Sequence, residues 1–297
     1  MREQVGKLVD LGNDIGRVLA PNPSPMTFHG TNSFLIGKES VAVVDPGPDD
    51  KVHMENLIAA IAGRPVSHVI VTHSHLDHSP LAARLADHVG APVLAFGDSY
   101  SGRSETMQKL AEEGLAGGGE GVDHLFVPDQ LVADGDILKG DDWRAEVIYT
   151  PGHFGNHICL KTHDTLISGD IVMGWSSTLV SPPDGDLRAF LTSCQRLLDI
   201  NAKRHLPAHG EPIEKPNDRL NWLIAHRASR EVQVVEALRR GSQTVQEIAT
   251  SIYTDIDARL IPMAERNVFA HLIDLVERNI ASATPVLSVS SRFRLNG

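Results

Sequence analysis

The chain places three histidines and one aspartate within six residues, directly after an apolar run at 69–72 that is typical of a buried strand. These residues are His73, His75, Asp77 and His78. Neutral imidazole nitrogens and carboxylate oxygens are ligands of zinc-like divalent ions. The spacing lets His73 and His75 converge on one ion and places Asp77 and His78 within reach of a second ion. The alternative interpretation is a cluster of solvated surface histidines, and residues farther along the chain argue against it.

Three further candidate ligands, His153, Asp170 and His209, each stand just beyond an apolar run that predicts a strand. The three runs are 143–149, 165–168 and 203–206. Strands that end at one edge of a sheet can gather side chains from distant parts of the sequence around a single point. We therefore expect all seven side chains to meet at one metal centre.

Taken in order, the set HxHxDH, His, Asp and His resembles that of the metallo-β-lactamase superfamily, and the match spans roughly residues 26–215. The resemblance implies an α/β fold, the αββα sandwich of that superfamily, with the ligands at the sheet edge. It also implies two metal ions that share one aspartate. The first ion would be held by His73, His75 and His153, and the second by Asp77, His78 and His209, with Asp170 bridging the two.

The resemblance further implies hydrolysis by a hydroxide shared between the two ions. One bound zinc lowers the pKa of its water from about 15.7 to about 7, so that hydroxide forms at neutral pH. This hydroxide would attack a carbonyl carbon or a phosphorus, with Asp77 and Asp170 as the catalytic carboxylates. Zinc is the expected ion at both positions, although the same ligands accept iron or manganese.

Three more residues are candidates for supporting the ligands or contacting the substrate. The resemblance implies that Asp45 supports the ligands from behind, whereas its place before a proline fits a simple turn former equally well. His157 matches the second histidine of the family's GHTxGH-like stretch, which lies near the site as a support or a substrate contact. Trp175 lies in the loop after Asp170, and this loop is either a wall of the substrate pocket or a purely structural connection; the sequence supports the two interpretations equally.

Strand and helix patterns alternate over the proposed first domain, residues 1–215. A hairpin is predicted at 32–37 and 41–45, with further strands at 66–72 and 92–96 and short strands near 124–127, 130–133 and 136–138. Helices are predicted at 49–62, 79–89, 104–115 and 186–200. The glycine cluster at 116–121 indicates a mobile surface loop, and the family pattern puts the insert 97–121 near the mouth of the site, where it would gate or shape substrate entry.

A composition change at 212–216 predicts a second domain at 216–297. Helices are predicted at 217–240, 244–252 and 264–280 and strands at 285–289 and 292–295, an order that resembles a winged helix. The helix that begins near Met263 resembles the C-terminal domain of the lactamase-β-like protein 2 family. Residues 217–297 hold ten arginines, no lysine and nine acidic residues, which argues against DNA binding and favours a packing and pocket-shaping role. His226 and His271 lie on helices and are predicted to be surface or core residues.

The overall composition is that of a soluble globular protein, with 41% hydrophobic and 22% charged residues. The net charge of −11 argues against non-specific nucleic-acid binding. Cys159 and Cys194 lie in apolar patterns and are predicted to be core residues. Neither a signal-peptide pattern nor an apolar run that could cross a bilayer is seen, so we expect a cytoplasmic protein without membrane contact.

Three substrate classes follow from the resemblance: esters or thioesters, lactones, and single-stranded RNA. The acidic net charge favours a small-molecule acyl or lactone substrate, with RNA cleavage as the alternative. A non-catalytic metal-binding scaffold is a third hypothesis, but the complete set of seven ligands favours an enzyme. A metallo-oxidoreductase of the same superfamily is disfavoured, because such members usually carry a glutamate in the first motif and a flavin domain.

Overall fold

Two β-sheets form the centre of the molecule, seen in a computed structural model that describes residues 5–116, 121–255, 257 and 260–297. The seven-stranded sheet holds its strands in chain order: β1 (Leu8–Asp10), β2 (Ile15–Leu19), β3 (Asn32–Ile36), β4 (Val41–Val44), β5 (Val66–Ile70), β6 (Val93–Ala95) and β7 (Gln130–Leu131). The five-stranded sheet has the order β12-β11-β10-β9-β8 and consists of β8 (Ile137–Lys139), β9 (Arg144–Tyr149), β10 (Ile158–Thr162), β11 (Thr165–Gly169) and β12 (Arg204–Pro207). Neighbours from β4 to β7 are parallel, as are β11 and β12.

The two sheets pack face to face through one apolar cluster. Phe34 and Ile70 reach this cluster from the seven-stranded sheet, and Val147 and Leu160 reach it from the five-stranded sheet. All residues of β3, β4 and β11 are buried. Strands that are buried on both faces read as continuous apolar runs, which is why these segments show no polar alternation.

Helices cover the outer face of each sheet. Helices α1 (Lys51–Ile61) and α2 (Ala82–Val89) pack on the seven-stranded sheet through Leu57 and Leu85. Helix α4 (Leu187–Ile200) packs on the five-stranded sheet through Phe190 and Leu197. The layers are therefore helix, sheet, sheet and helix, and the predicted αββα sandwich is confirmed.

The C-terminal region is a winged helix, as predicted. It consists of α5 (Pro216–Leu238), α6 (Val245–Ile252), α7 (Ile261–Glu277) and a small sheet of β13 (Gln243–Thr244), β14 (Ala281–Thr284) and β15 (Arg292–Leu295). Helix α5 contributes Leu223 to the core beside α4 and Val234 to the C-terminal core. The division into 1–215 and 216–297 remains our proposal, with α5 packed into both sides.

Helix α3 (Glu105–Glu112) packs away from the sheet that flanks it in sequence. Its buried residues Met107 and Leu110 belong to the C-terminal apolar core. Arg266 of α7 donates a hydrogen bond at 2.9 Å to the carbonyl of Ala116, the first residue of the predicted glycine loop. Of that loop, residues 117–120 lie outside the described residues, so the prediction that it is mobile stays a prediction.

Two predicted strands are wrong, and four described strands, β1, β2, β10 and β13, had no predicted range. Residues 124–127 form a turn in which the Asp123 carboxylate accepts the Leu125 N–H at 3.2 Å. The strand predicted at 285–289 instead occupies Ala281–Thr284, because Pro285 has no N–H to donate to the sheet. Strands β1 and β2 precede the recognised motifs and were not predicted. Among the described helices, none combines the length and apolarity that a membrane span requires.

We expect Leu110→Ala to lower the free energy of unfolding by about 2–4 kcal/mol, because it opens a cavity in a packed core. Leu110 is 4% exposed, although it lies in an insert of the first region. Denaturant unfolding of the variant and wild type measures the loss. The control is Lys109→Ala, whose parent side chain is 76% exposed, and its effect should stay within about 0.5 kcal/mol. Equal effects of the two substitutions would contradict this packing of α3.

Candidate metal centre

All seven predicted ligands follow the ends of four strands and meet at one place. The HxHxDH residues follow β5, while His153 follows β9, Asp170 follows β11 directly and His209 follows β12. Every one of the seven side chains is buried. They form two groups of mutually close ligand atoms: His73, His75, His153 and Asp170 in the first, and Asp77, His78 and His209 in the second.

In the first group, three imidazole nitrogens face one another. His75 Nδ1 lies 2.9 Å from His73 Nε2 and 3.1 Å from His153 Nε2. The carboxylate of Asp170 completes the group, with Oδ2 at 3.5 Å from His153 Nε2. Three neutral nitrogens and one carboxylate oxygen are a donor set typical of zinc proteins.

The second group uses the same carboxylate oxygen from its other side. Asp77 Oδ2 lies 3.2 Å from His78 Nε2 and 3.1 Å from His209 Nε2. Asp170 Oδ2 lies 3.3 Å from His209 Nε2 and 3.7 Å from His78 Nε2. Asp170 Oδ2 therefore stands between the two groups, which is the position a bridging ligand requires.

The donor set fits two divalent ions. Tetrahedral ligands at about 2.0–2.1 Å from a zinc ion lie about 3.3 Å from each other, and the distances between neighbouring ligand atoms within each group run from 2.9 to 3.5 Å. His78 Nε2 and Asp170 Oδ1 are buried and accept or donate no hydrogen bond among the described residues. A buried polar atom without a partner is costly, and a cation at this point would remove that cost.

Four of the five ligand histidines are oriented from behind by a second contact. Each directs Nδ1 at an oxygen acceptor, which leaves the lone pair of Nε2 directed at the centre. The pairs are His73 with Thr72 Oγ1 at 3.1 Å, His78 with Asp45 Oδ2 at 3.0 Å, His153 with the Leu179 carbonyl at 2.8 Å, and His209 with the Gly30 carbonyl at 3.1 Å. Sequence reasoning missed Leu179 and Gly30, because a main-chain carbonyl acceptor leaves no residue-type signal, and it also missed the Thr72 hydroxyl at the end of the apolar run before the motif.

Asp45 joins two strand ends beneath the centre. Its carboxylate accepts the Thr72 N–H and the Thr72 hydroxyl, both at 2.7 Å, besides the His78 ring. Its backbone has a positive φ of 49° at the end of β4. Asp45 therefore lies at a turn of the chain and also contacts His78 from behind, so the two interpretations considered from the sequence are compatible.

His157 positions Asp170 and contacts no other group of the centre by hydrogen bond. Its Nε2 accepts the Asp170 N–H at 3.1 Å, so Nδ1 carries the proton and donates to Thr150 Oγ1 at 2.9 Å. Both nitrogens are engaged and the side chain is buried. This arrangement favours the support interpretation of His157 over the substrate-contact interpretation.

Trp175 lies outside the ligand groups. It is 37% exposed and stacks on Phe28 with 4.9 Å between ring centroids. Another hydroxyl that the sequence did not suggest, Thr31 Oγ1, donates to Asp77 Oδ2 at 3.1 Å. Neither His226 nor His271 is near the ligands: His226 stacks on Trp222, and His271 is buried in α7.

The two groups differ in their electrostatics. Burial lowers the pKa of His75 to about 3 and lowers those of His73 and His153, so the first group offers neutral imidazoles. Burial also lowers the pKa of His209, but Asp170 and Asp77 raise it by more, to about 10. Without a cation, the second group therefore holds protons on its histidines, and a bound metal ion would displace them.

The comparisons with known proteins agree with this geometry. The family model "Metallo-beta-lactamase superfamily" matches residues 26–209, and "Beta-lactamase associated winged helix domain" matches residues 244–285. The chain is 26% identical to the Beta-lactamase-like protein 2 homolog of Caenorhabditis elegans over 263 residues, which cover 85% of this chain and 80% of that protein. It is 27% identical to an Atrochrysone carboxyl ACP thioesterase of Claviceps purpurea (strain 20.1), over 80% of this chain and 71% of that protein. A Beta-lactamase domain protein from Burkholderia ambifaria superimposes with a TM-score of 0.80 at 22% identity, covering 98% and 94% of the two chains.

We expect Asp45→Asn to weaken metal binding by about 10–100-fold, because a neutral amide orients and polarises the His78 ring less well than a carboxylate. The measurement is metal content after equilibration with a graded series of chelator concentrations. The exposed Asp87 of α2 provides the matched control, Asp87→Asn. If both variants retain metal as wild type does, Asp45 does not support the centre.

Proposed function

This chain belongs to the metallo-beta-lactamase superfamily and is a metal-dependent hydrolase of that family, and from this premise we propose that it hydrolyses an ester, thioester or lactone of a small acyl substrate at two zinc ions. The observation that carries the proposal is the shared position of Asp170 Oδ2 between two buried ligand groups. A thioester is our first choice, since the relative from Claviceps purpurea carries the name thioesterase.

The proposed ligands divide as the two groups do. His73, His75 and His153 would hold one ion, and Asp77, His78 and His209 the other, with Asp170 between them. When bound, such ions supply a hydroxide nucleophile at neutral pH and Lewis acidity for the developing oxyanion. Four of the five histidines, all except His75, are pre-oriented for this by the buried contacts behind them, which restrict their rings before any ion or substrate arrives.

Asp77 and Asp170 are the proposed catalytic carboxylates. Burial raises the pKa of each, but the neighbouring histidines, His78 for Asp77 and His209 for Asp170, outweigh burial and hold both values below the usual range. Both side chains are therefore ionised at neutral pH. Asp170 Oδ1 has no hydrogen-bond partner in the part of the chain that the structure describes, which leaves it available to an ion that this carboxylate would hold.

A protein nucleophile has no place in this proposal. The two cysteines are free and buried, as the sequence predicted for core residues. Burial raises the pKa of Cys159 and that of Cys194 to about 12, which keeps both thiols protonated and unreactive. Attack by activated water remains as the hydrolytic route. The cytoplasmic location expected from the sequence stays a prediction.

Cleavage of single-stranded RNA is the second candidate, and a stripe along α5 favours it. Arg219 lies over the Trp222 ring at 4.2 Å, His226 stacks on Trp222 at 4.9 Å, and Arg230 lies over the Tyr253 ring at 4.4 Å. Exposed aromatic rings beside arginines are platforms on which bases stack. The net charge of −11 opposes this candidate, and so the acyl substrate remains our first proposal.

We expect Asp170→Asn to reduce acyl thioester hydrolysis by at least about 100-fold, because it removes the charge shared by the two ligand groups. Initial rates on an acyl-CoA thioester, a lactone and an RNA oligomer would be compared for the variant and wild type. Chelation should abolish turnover and added zinc should restore it in wild type alone. Asp199→Asn, at an exposed position of α4, is the control. RNA cleavage without any acyl turnover would reverse our order of candidates.

The RNA candidate makes its own prediction at Trp222, which is 46% exposed. If bases stack on the stripe, Trp222→Ala should weaken binding of a labelled single-stranded RNA about 5–100-fold, the range for one lost base stack. Fluorescence anisotropy measures the change. Val232→Ala, at a 68% exposed position of the same helix, controls for the loss of an apolar surface group. Unchanged RNA binding in Trp222→Ala would remove the structural support for this candidate.

A further inference from the structure

A cavity of about 280 Å³ lies between the loop that follows Asp170 and the winged-helix region. We call the loop at 171–180 the post-Asp170 loop. Side chains from both regions line the cavity, among them Met26, Met173, Trp175, Leu179, Met263 and Ala264. Three of the six methionines of the chain are in this set. Methionine side chains adapt their shape to apolar ligands, so the lining is suited to a flexible hydrocarbon.

Two of the polar side chains in the lining, those of Asn267 and Ser176, already make hydrogen bonds within the protein. Asn267 receives a hydrogen bond from Arg227 at 2.9 Å and donates one to the Met263 carbonyl at 3.2 Å. The Ser176 hydroxyl donates to the Ser177 carbonyl at 3.2 Å. A ligand in this cavity would therefore meet mainly methylene, methyl, thioether and ring surfaces. Such a lining binds apolar groups and discriminates little among polar ones.

The cavity adjoins both ligand groups of the metal centre. Leu179 lines the cavity with its side chain, while its carbonyl accepts the Nδ1–H of His153 at 2.8 Å. Trp175 covers the residue after His209, because its Cδ1 lies 3.0 Å from the place that a Cβ on Gly210 would occupy. A substrate whose carbonyl lies at the centre therefore has an apolar recess within reach of its acyl end.

Two arginines of α5 fix the wall of the cavity. Arg219 donates to the carbonyls of Met173 at 2.6 Å and Ser176 at 2.5 Å. Arg227, which is 2% exposed, donates to the Thr178 carbonyl. The post-Asp170 loop is thus held on three of its carbonyls before a ligand binds. A preformed wall reduces the ordering cost that binding would otherwise carry.

We propose that this cavity binds the apolar acyl chain of the substrate and selects chains of medium length. The inference rests on the proposed acyl hydrolysis and adds the substrate class to it. A methylene group occupies about the volume of one water molecule in the liquid, about 30 Å³, which gives room for on the order of six to nine carbons. Each methylene buried from water raises affinity about threefold to fourfold.

Binding of non-hydrolysable thioethers tests the cavity separately from turnover. Wild type should bind S-octyl-N-acetylcysteamine at least about 30-fold more tightly than the S-ethyl compound, since most of the six additional methylenes become buried. Ala264→Phe, which fills the cavity from α7, should remove most of this ratio. Ala225→Phe makes the same change at an exposed position of α5 and should leave the ratio as in wild type. Calorimetric titration gives the affinities. An unchanged ratio in folded Ala264→Phe would overturn the proposal.

Met263→Ala is the second variant and decides the question if Ala264→Phe fails to fold. It enlarges the same cavity, so the preferred alkyl chain should lengthen by about one to three carbons, the volume that the lost side chain leaves. A preference that stays at the wild-type length would overturn the proposal, whereas a lengthened preference supports it.

Hydrolysis of a thioester series with 2–12 acyl carbons separates the two proposals. Turnover of the acetyl thioester tests the chemistry of the centre, and the rise of kcat/KM with chain length tests the cavity. If the acetyl thioester is hydrolysed and neither assay shows a preference for chain length, the hydrolase proposal is supported and the cavity proposal is contradicted. Octyl binding that depends on Ala264, without turnover of any thioester, would support the cavity as an alkyl-chain site and contradict the proposed reaction.

Discussion

The burial of two carboxylates, Asp77 and Asp170, beside five histidine rings is the constraint on which the rest of the structure depends. Carboxylates taken out of water need compensating positive charge, and protons on His78 and His209 supply it only while no cation is present. Two divalent ions would satisfy the same charges and would also contact His78 Nε2 and Asp170 Oδ1, which make no hydrogen bond among the described residues. The charge of the centre therefore suits bound cations. The residues that contact the histidine rings from behind hold the ligand atoms close together despite their mutual repulsion.

The ligand atoms are held in position by successive shells of contacts around the centre. Strand ends place the ligands, and a carboxylate, a hydroxyl and two carbonyls orient four of the rings. The Leu179 carbonyl stands next to Thr178, whose own carbonyl is held by the buried Arg227 of α5. Two successive carbonyls thus connect the winged-helix region to His153, a proposed metal ligand. This connection gives the C-terminal region a physical role at the centre without requiring it to contribute a ligand.

Features that require particular residue types, such as the candidate ligands, were predictable from the sequence. Features that depend on backbone groups, or on which surfaces pack together, were much less predictable. The HxHxDH motif and the apolar runs before His153 and His209 predicted which seven side chains meet, and the family they resemble implied the layered fold, since ligand identity and strand burial both constrain residue type. The strand misplaced to 285–289 shows the limit, because the short polar segment Ala281–Thr284 has no apolar alternation to mark it. The packing of Leu110 into the C-terminal core was also not predictable, since an apolar stripe on a helix does not say which surface will cover it.

A buried metal centre of this kind supplies the same nucleophile to a carbonyl and to a phosphodiester, so its ligands cannot decide between substrates. The choice of substrate must therefore depend on the surfaces around the centre. The two candidate surfaces there differ in polarity and in exposure. The cavity beside Leu179 and Trp175 is mainly apolar and is lined by both regions, which suits an uncharged acyl chain. The stripe at Arg219 and Trp222 is more open, but its arginines belong to a region with nearly as many acidic groups as basic ones. Burying hydrocarbon in a preformed recess requires no long-range field, whereas drawing a polyanion to a chain of net charge −11 does. The balance of these forces favours the acyl substrate.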